Sequence, residues 1–472
     1  MSIKTLGGID DSSQPFHNQT KGVKALLGDP KKAILTLSLP MIVAMVVQTL
    51  YNLINRIWVS GLGTDAAAAV GFAFPLLFMG TAIATGLGVG GGSAISRKIG
   101  AKDKKGGDIA AVHTLILMVV VALAYAIPLL VFAEDIFRII GAQQATGTAA
   151  LYARIMYSAT IIWFFTSIAT ALLRSEGDAK RSMFAMVLGG ILNAVLDPIF
   201  IYVFGWGVPG AAIASVVSMC VSAFLLFYWL FLKKNTFLSF PFRGFHFNKD
   251  VIRDILAVGF PASLLQLSMA IMLFLMNIIV ERISGTDGVA IFSTGWAVAT
   301  TASMPLLGMA TAVVSVTGAA YGAREYKKLD VAHLYALKIG IIIETSIAIA
   351  TFIFAPIITL AFTASSDMAR YGNDITTFLR IICLYYPAIA FGMLSSSLFQ
   401  GVGKGLYSLI VTILRTIILI IPLAWTFGVI FGWGLAGAWW GLVVANIIGS
   451  AVTFIWAKLY VNDLIKSSPL PA

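Results

Sequence analysis

Leu115-Ile116-Leu117-Met118-Val119-Val120-Val121-Ala122-Leu123-Ala124-Tyr125-Ala126-Ile127 sits inside a run, 108–133, whose only charged residue is Asp108 at its start. At a rise of about 1.5 Å per residue, some 25 helical residues reach roughly 37 Å, enough to cross a hydrocarbon core about 30 Å thick. A barrel strand would instead alternate apolar and polar residues over about ten positions, and this run does not. Working outward, runs of the same kind fall at 33–61, 66–96, 151–173, 182–204 and 209–232. After a polar segment they resume at 254–281, 288–319, 331–363, 376–400, 406–431 and 435–461. The expected fold is an all-α polytopic membrane protein with about twelve transmembrane helices.

Composition points the same way. Of 472 residues, 59% are apolar or aromatic and 11% charged, against roughly 25% charged in soluble domains. The mean hydropathy is +0.92. A soluble multi-domain enzyme and a disordered chain are both excluded on these values. The net charge of +11 does not indicate nucleic-acid binding, because the basic residues form short clusters between apolar runs, as in cytoplasmic loops. Cys220 and Cys383 lie far apart within apolar runs and have neither metal-ligand spacing nor a disulfide framework. No zinc, phosphate-loop or nucleophile-elbow motif occurs, and Gly86-Leu87-Gly88-Val89-Gly90-Gly91-Gly92 reads as a close-packing helix face, not a dinucleotide loop.

Orientation follows from Lys and Arg. One set of segments holds Lys31, Lys32, Arg97, Lys98, Lys102, Lys104, Lys105, Arg174, Lys180 and Arg181, then Lys233, Lys234, Arg243, Lys249, Arg253, Arg324, Lys327 and Lys328. The alternate loops carry only Arg56, Arg138, Arg154, Arg282 and Arg370. Both termini are therefore expected in the cytoplasm, with the chain multi-pass in the plasma (inner) membrane.

The second half repeats the first. Gly63-Thr64-Asp65 matches Gly285-Thr286-Asp287, Gly100-Ala101-Lys102 matches Gly322-Ala323-Arg324, and Gly205-Trp206-Gly207 matches Gly432-Trp433-Gly434. Six spans per half is an even number, so the two halves share one orientation and are related by an axis along the membrane normal. The expected division is a disordered tail at 1–30, a first lobe at 31–232 (spans 1–6), a cytoplasmic linker at 233–252, a second lobe at 253–462 (spans 7–12) and a C-terminal tail at 463–472. Pro40 and Pro261 occupy equivalent places in spans 1 and 7, and a proline inside a span bends the helix.

Ionisable groups inside spans carry the functional signal, since a carboxylate at a span centre costs about 2.5–3.5 kcal/mol on insertion scales. Asp197 lies in Leu192-Asn193-Ala194-Val195-Leu196-Asp197-Pro198, with Asn193 one turn earlier on the same face. Pro198 leaves the Ala194 carbonyl without its helical donor. Carboxylate, amide oxygen and freed carbonyl together suit a proton or Na⁺, so a possible Na⁺ site is placed at Asp197 and Asn193. On span 1, Gln48, Tyr51, Asn52 and Asn55 follow the spacing of one helix face. In the second half, Glu344 and Arg415 are expected to form a buried structural pair, and the repeat counterparts of Asn193 and Asp197, near Leu419 to Ala424, are apolar.

Pro40-Met41, Gln48-Thr49-Leu50-Tyr51-Asn52-Leu53, Trp58-Val59-Ser60-Gly61-Leu62-Gly63, Arg174-Ser175-Glu176-Gly177-Asp178-Ala179 and Leu196-Asp197-Pro198-Ile199-Phe200 resemble the multidrug and toxic compound extrusion (MATE) family, nearest its archaeal DinF-like branch. The resemblance runs from about Lys21 through both lobes. It implies an antiporter that exports amphipathic, often cationic compounds by alternating access in exchange for H⁺ or Na⁺. It implies no other cofactor, no catalysis, and membrane lipid and small amphipathic substrates as partners. No obligatory protein partner is implied, so a monomer is expected.

By the same resemblance, the branch's first-lobe network maps onto Asn193 and Asp197, with its hydroxyl on Ser215 and its tyrosine on Tyr152. The helix 1 aspartate of that network falls on Asn55, a departure that removes the second carboxylate and implies altered coupling. Two other transporter readings stay open. A major-facilitator-type transporter would show an Asp-Arg-x-Gly-Arg-like signature where this chain has Ser96-Arg97-Lys98-Ile99-Gly100. A lipid or lipid-linked sugar flippase would show cavity cations for a phosphate.

Overall fold

The computed structural model describes residues 20–142, 145–233, 235–241, 246–363 and 366–467, and every element among them is helical. Eleven helices are long and apolar enough to span a membrane, and a bent pair makes a twelfth. We label the spans α1 (Pro30–Ser60), α2 (Thr64–Gly100), α3 (Lys104–Val131), α4 (Thr146–Ser158 and Thr160–Ser175), α5 (Ala179–Pro198) and α6 (Gly207–Phe227). Helix Lys249–Ala302 is interrupted at Ser284 and Gly285, where φ/ψ leave the helical region. Its arms are α7 and α8, and α8 continues through Met304–Gly322. The remainder are α9 (Tyr326–Phe362), α10 (Gly372–Ile382 with Tyr386–Gly401), α11 (Gly405–Ile413 through Ile420–Trp425) and α12 (Gly434–Ser467).

Two expectations are refined. The run at 151–173 is not one straight helix: α4 bends by 51° at Ala159. The polar segment also ends sooner than expected, because Asn248 caps α7 by accepting from Asp250 N at 2.9 Å and Val251 N at 3.3 Å. Of the expected tails, 1–19 and 468–472 lie outside the described residues, as do 234 and 242–245 of the linker.

The sequence repeat reappears as backbone geometry. Gly63 and Gly285 both take positive φ, 96° and 63°, where the chain turns between spans. Lys102 and Arg324 share φ 58°, an uncommon value for a residue with a Cβ. Past Pro198 the chain widens into a π turn at Ile199–Val203, closed by Phe204 N donating to Ile199 O at 2.9 Å. The same widening occurs at Thr426–Ile430, closed by Phe431 N donating to Thr426 O at 2.8 Å.

The lobes meet along α1, α2, α7 and α8. Small residues allow the backbones to approach: a Cβ on Gly100 would overlap Ala319 O, and one on Gly322 would overlap Arg97 O. Further out, Gly308 of α8 lies against the Met41–Ile42 backbone of α1. Cross-lobe bonds cluster at the end of the bundle that carries the Lys and Arg. Arg97 Nη2 donates to Asp254 Oδ1 at 2.7 Å, and Ser93 Oγ donates to Gln400 O at 2.5 Å and Gly401 O at 3.1 Å.

Candidate functional site

α5 positions the site through its two ends. Asp178 caps the first turn, accepting from Arg181 N at 3.1 Å. At the other end Pro198 and the π turn end the regular helix, and π turns of this kind recur at functional positions. Asp197 occupies the last regular turn and is fully buried, with Asn193 3% exposed. Asn193 Nδ2 donates to Asp197 Oδ1 at 3.1 Å and to Ser215 Oγ on α6 at 3.2 Å. The other two oxygens, Asp197 Oδ2 and Asn193 Oδ1, are buried with no hydrogen-bond partner among the described residues. A buried polar atom without a partner is costly, so this pair of oxygens is a place where a proton or a small cation would be stabilised.

Tyr51 and Tyr152 complete the cluster. The Tyr51 ring packs over Gly190, where a Cβ would stand 3.7 Å from Tyr51 Cβ. Tyr51 interacts electrostatically with Asp197, and Tyr152 with both. Five of the singled-out residues, from α1, α4, α5 and α6, therefore share one neighbourhood: Tyr51, Tyr152, Asn193, Asp197 and Ser215. Asn55 is half-buried one turn from Tyr51, and its amide makes no hydrogen bond among the described residues. Gln48 and Asn52 are exposed on α1, beyond the point where it crosses α8. Pro40 lies inside α1, which continues as helix on both sides of it. Among the described residues no group of three or more His, Cys, Asp or Glu is placed to hold a metal.

A residue that the sequence patterns did not single out ties the π turn back to α1. Tyr202, within the π turn, donates from its hydroxyl to Trp58 O at 2.6 Å, and the two rings meet edge-on at 6.1 Å. An aromatic five residues past Asp197 was the available signal; on a regular helix it would have pointed elsewhere, and the widened turn redirects it.

The second lobe corrects one expectation. Glu344 and Arg415 are both buried, yet they form no ion pair, and Glu344 Oε1 and Oε2 and Arg415 Nη1 have no partner among the described residues. Arg415 instead threads between α10 and α12, its guanidinium against Gly392 and its stem against Gly449. Both groups lie near Tyr385, but the depth and rotation of their helices, which sequence spacing does not specify, keep them out of contact with each other. The repeat counterparts of Asn193 and Asp197, matched through the π turns, are Ile420 and Ala424, buried and apolar. The carboxylate chemistry of this pair belongs to the first lobe alone.

Comparison with known proteins agrees with this architecture. The MatE family pattern matches residues 40–199 and 261–426, one segment per lobe. The multidrug export protein MepA of Staphylococcus aureus (strain MSSA476) is 26% identical over 419 residues, covering 88% of this chain and 90% of MepA. Among solved structures, the outward-facing conformation of a multidrug resistance MATE family transporter of the MOP superfamily is 45% identical, with a TM-score of 0.93 over 95% of this chain and 100% of that one. A MOP superfamily transporter from Pyrococcus furiosus Vc1 (DSM3638) gives the same identity, TM-score and coverage. The chain belongs to the MatE family: it is a multi-pass membrane transporter and not an enzyme.

Proposed function

We propose that the protein is a cation-coupled antiporter that exports amphipathic, often cationic compounds by alternating access, with the basic end of the bundle in the cytoplasm and the coupling ion carried at Asp197. The single observation behind this reading is the buried Asp197 carboxylate with one oxygen bonded to Asn193 and the other without a partner. The export activity named for MepA supports the direction of transport.

In this reading Asn193 both positions Asp197 and offers its own oxygen to the ion. Its Nδ2 holds Asp197 Oδ1 and Ser215 Oγ, which leaves Asp197 Oδ2 and Asn193 Oδ1 for the ion. A proton needs only the carboxylate oxygen. Na⁺ would use both free oxygens and the Ser215 hydroxyl, one formal charge among neutral donors. Either ion neutralises a carboxylate that the span disfavours when charged, so occupancy changes how α1 and α5 pack around it. Tyr51 and Tyr152, close to Asp197, are the groups through which that change is passed on.

The test is efflux of a fluorescent amphipathic cation from vesicles containing purified protein, driven by an imposed H⁺ or Na⁺ gradient. Asp197→Asn should abolish gradient-driven efflux while circular dichroism and the thermal midpoint remain near those of the parent. Efflux at the parental rate would make Asp197 a structural residue and end this reading.

A further inference from the structure

A polar cavity of about 490 Å³ opens at the basic end of the seam between the lobes, far from Asp197. One wall is α2, with Arg97 and Lys98. The other belongs to the second lobe: Asp254 of α7, Tyr321 of α8, Arg324 in the turn after it, and Tyr326 of α9. Its charges do not balance. Asp254 is the only carboxylate of the lining, and Arg97 already engages it at 2.7 Å. Lys98 is held by Asp103 at 3.0 Å in a pair that is 41% exposed on each side, so it remains available to a competing anion.

Arg324 is left over. Its guanidinium has no ion pair or hydrogen bond among the described residues, and its backbone sits at φ 58°. The carbonyl ends of α2 and α8 converge on this mouth, and helix-end cations are expected there. That accounts for Arg97 and Lys98, which lie in the last turn of α2. Arg324, exposed in the turn just past α8, brings a third cation to the same mouth without a carboxylate to match it. The Tyr321 and Tyr326 rings, 5.9 Å apart, add two phenol groups to the same lining. The wall is rich in donors and poor in acceptors, which is the chemistry that recognises phosphate.

We propose that this mouth binds a phosphate-bearing anion gripped by Arg324 and Lys98 over the Arg97–Asp254 pair, and that occupancy holds this end of the seam closed. The closure follows because the walls belong to different lobes: a ligand touching both binds only the state in which they meet, and shifts the population toward it. The proposal rests on the alternating-access reading for its consequence, but not for its binding. The anion arrives either as the headgroup of a lipid in the adjacent leaflet or as a soluble phosphate ester.

The full-length protein in neutral detergent is titrated with sn-glycerol 3-phosphate and, separately, with dihexanoyl-phosphatidylglycerol, against sodium chloride at matched ionic strength. Thermal midpoints report binding whatever the orientation in a membrane and whether or not Asp197 couples. The expected result is a saturable rise with at least one probe. Arg324→Asn, whose side chain tolerates positive φ, should weaken the apparent affinity at least tenfold, and Arg324→Lys should recover most of it. Response to both probes assigns a soluble phosphate; response only to the lipid assigns a headgroup. An equal rise with chloride, no response to either probe, or an unchanged response in Arg324→Asn would overturn the proposal. Closure is read from spin labels at Lys105→Cys and Lys327→Cys in a Cys220→Ser, Cys383→Ala background. A saturating probe should narrow the distribution toward short distances, and no change would overturn that half.

Discussion

Asn55 stands one turn beyond Tyr51 on α1, where the family resemblance puts a carboxylate. With Asp197 as the only acid of the cluster, a bound cation is held by one formal charge and several neutral oxygens. Asn55→Asp adds a second carboxylate one turn from Tyr51, and a like charge near Asp197 favours the state that carries a cation. We expect tighter apparent affinity for the coupling ion by about tenfold, equivalent to about 1.4 kcal/mol, and a shifted dependence of efflux on pH or Na⁺. Efflux curves against external pH, with and without Na⁺, decide it; superimposable curves for the two proteins would reduce position 55 to a packing amide. In the second lobe the sensitive residue is Gly441. A Cβ there would stand 2.5 Å from Ala424 N and 2.6 Å from Leu423 C, both backbone atoms. Overpacking of this kind costs about 1–3 kcal/mol, so Gly441→Ala should lower the thermal midpoint by several degrees without touching the Asp197 cluster.

At the scale of elements, the connection between the lobes is strapped to the first one. Leu238 N donates to Glu176 Oε2 at 3.0 Å, Ser239 N to Asp108 Oδ1 at 2.8 Å, and Asn248 N to His113 Nε2 at 3.0 Å. Glu176 lies in the turn between α4 and α5, and burial pushes its carboxyl from the usual 4.5 up to about 8, with the neighbouring Asp178 adding to the rise and the Leu238 N–H opposing it. The folded state thus holds this proton where the unfolded chain has lost it. Its contribution to stability is complete below about pH 4.5 and declines as pH rises to about 8. Glu176→Gln keeps a carbonyl oxygen for Leu238 N and removes the titration. Its thermal midpoint, followed from pH 5 to pH 8, should fall less than that of the parent; parallel profiles would assign the pH dependence to other groups.

For the whole molecule, the alternating-access reading makes the seam the place where the two lobes part. Arg97–Asp254 is the one ion pair that crosses between lobes among the described residues, and it sits beside the reciprocal contacts at Gly100 and Gly322. In that reading, breaking it removes a bond that holds this end closed. Arg97→Gln should therefore raise labelling of a cysteine placed at Ala319, which is 1% exposed in the closed seam, by severalfold with a water-soluble maleimide. Unchanged labelling would mean that glycine packing alone holds the seam. The topology has its own check: single cysteines at Lys104 and Gly207 should label from opposite faces of the membrane, and labelling from one face would contradict the common orientation of the two lobes.

Span number, the two-lobe repeat and the confinement of the Asn193–Asp197 chemistry to one lobe were legible in the sequence. Each depends on local hydrophobicity, on length, or on residue identity at repeat-related positions, and none requires knowing how helices rotate. The turn residues were legible for the same reason: Gly63 and Gly285, or Lys102 and Arg324, adopt matching φ because short-range sterics act alike on matching segments. What the sequence left open concerns relations between helices. That Asn193 reaches Ser215 on α6, that Tyr202 turns back to Trp58, and that Glu344 and Arg415 miss each other all depend on axial rotation and depth. In an apolar solvent those are set by close packing of small residues and by local widenings such as the π turns, since every outward face is similarly hydrophobic. The cavity at the basic end belongs to the same class, because its walls lie more than 150 residues apart in the chain, as Arg97 and Asp254 do, and only the docking of one lobe on the other brings them together.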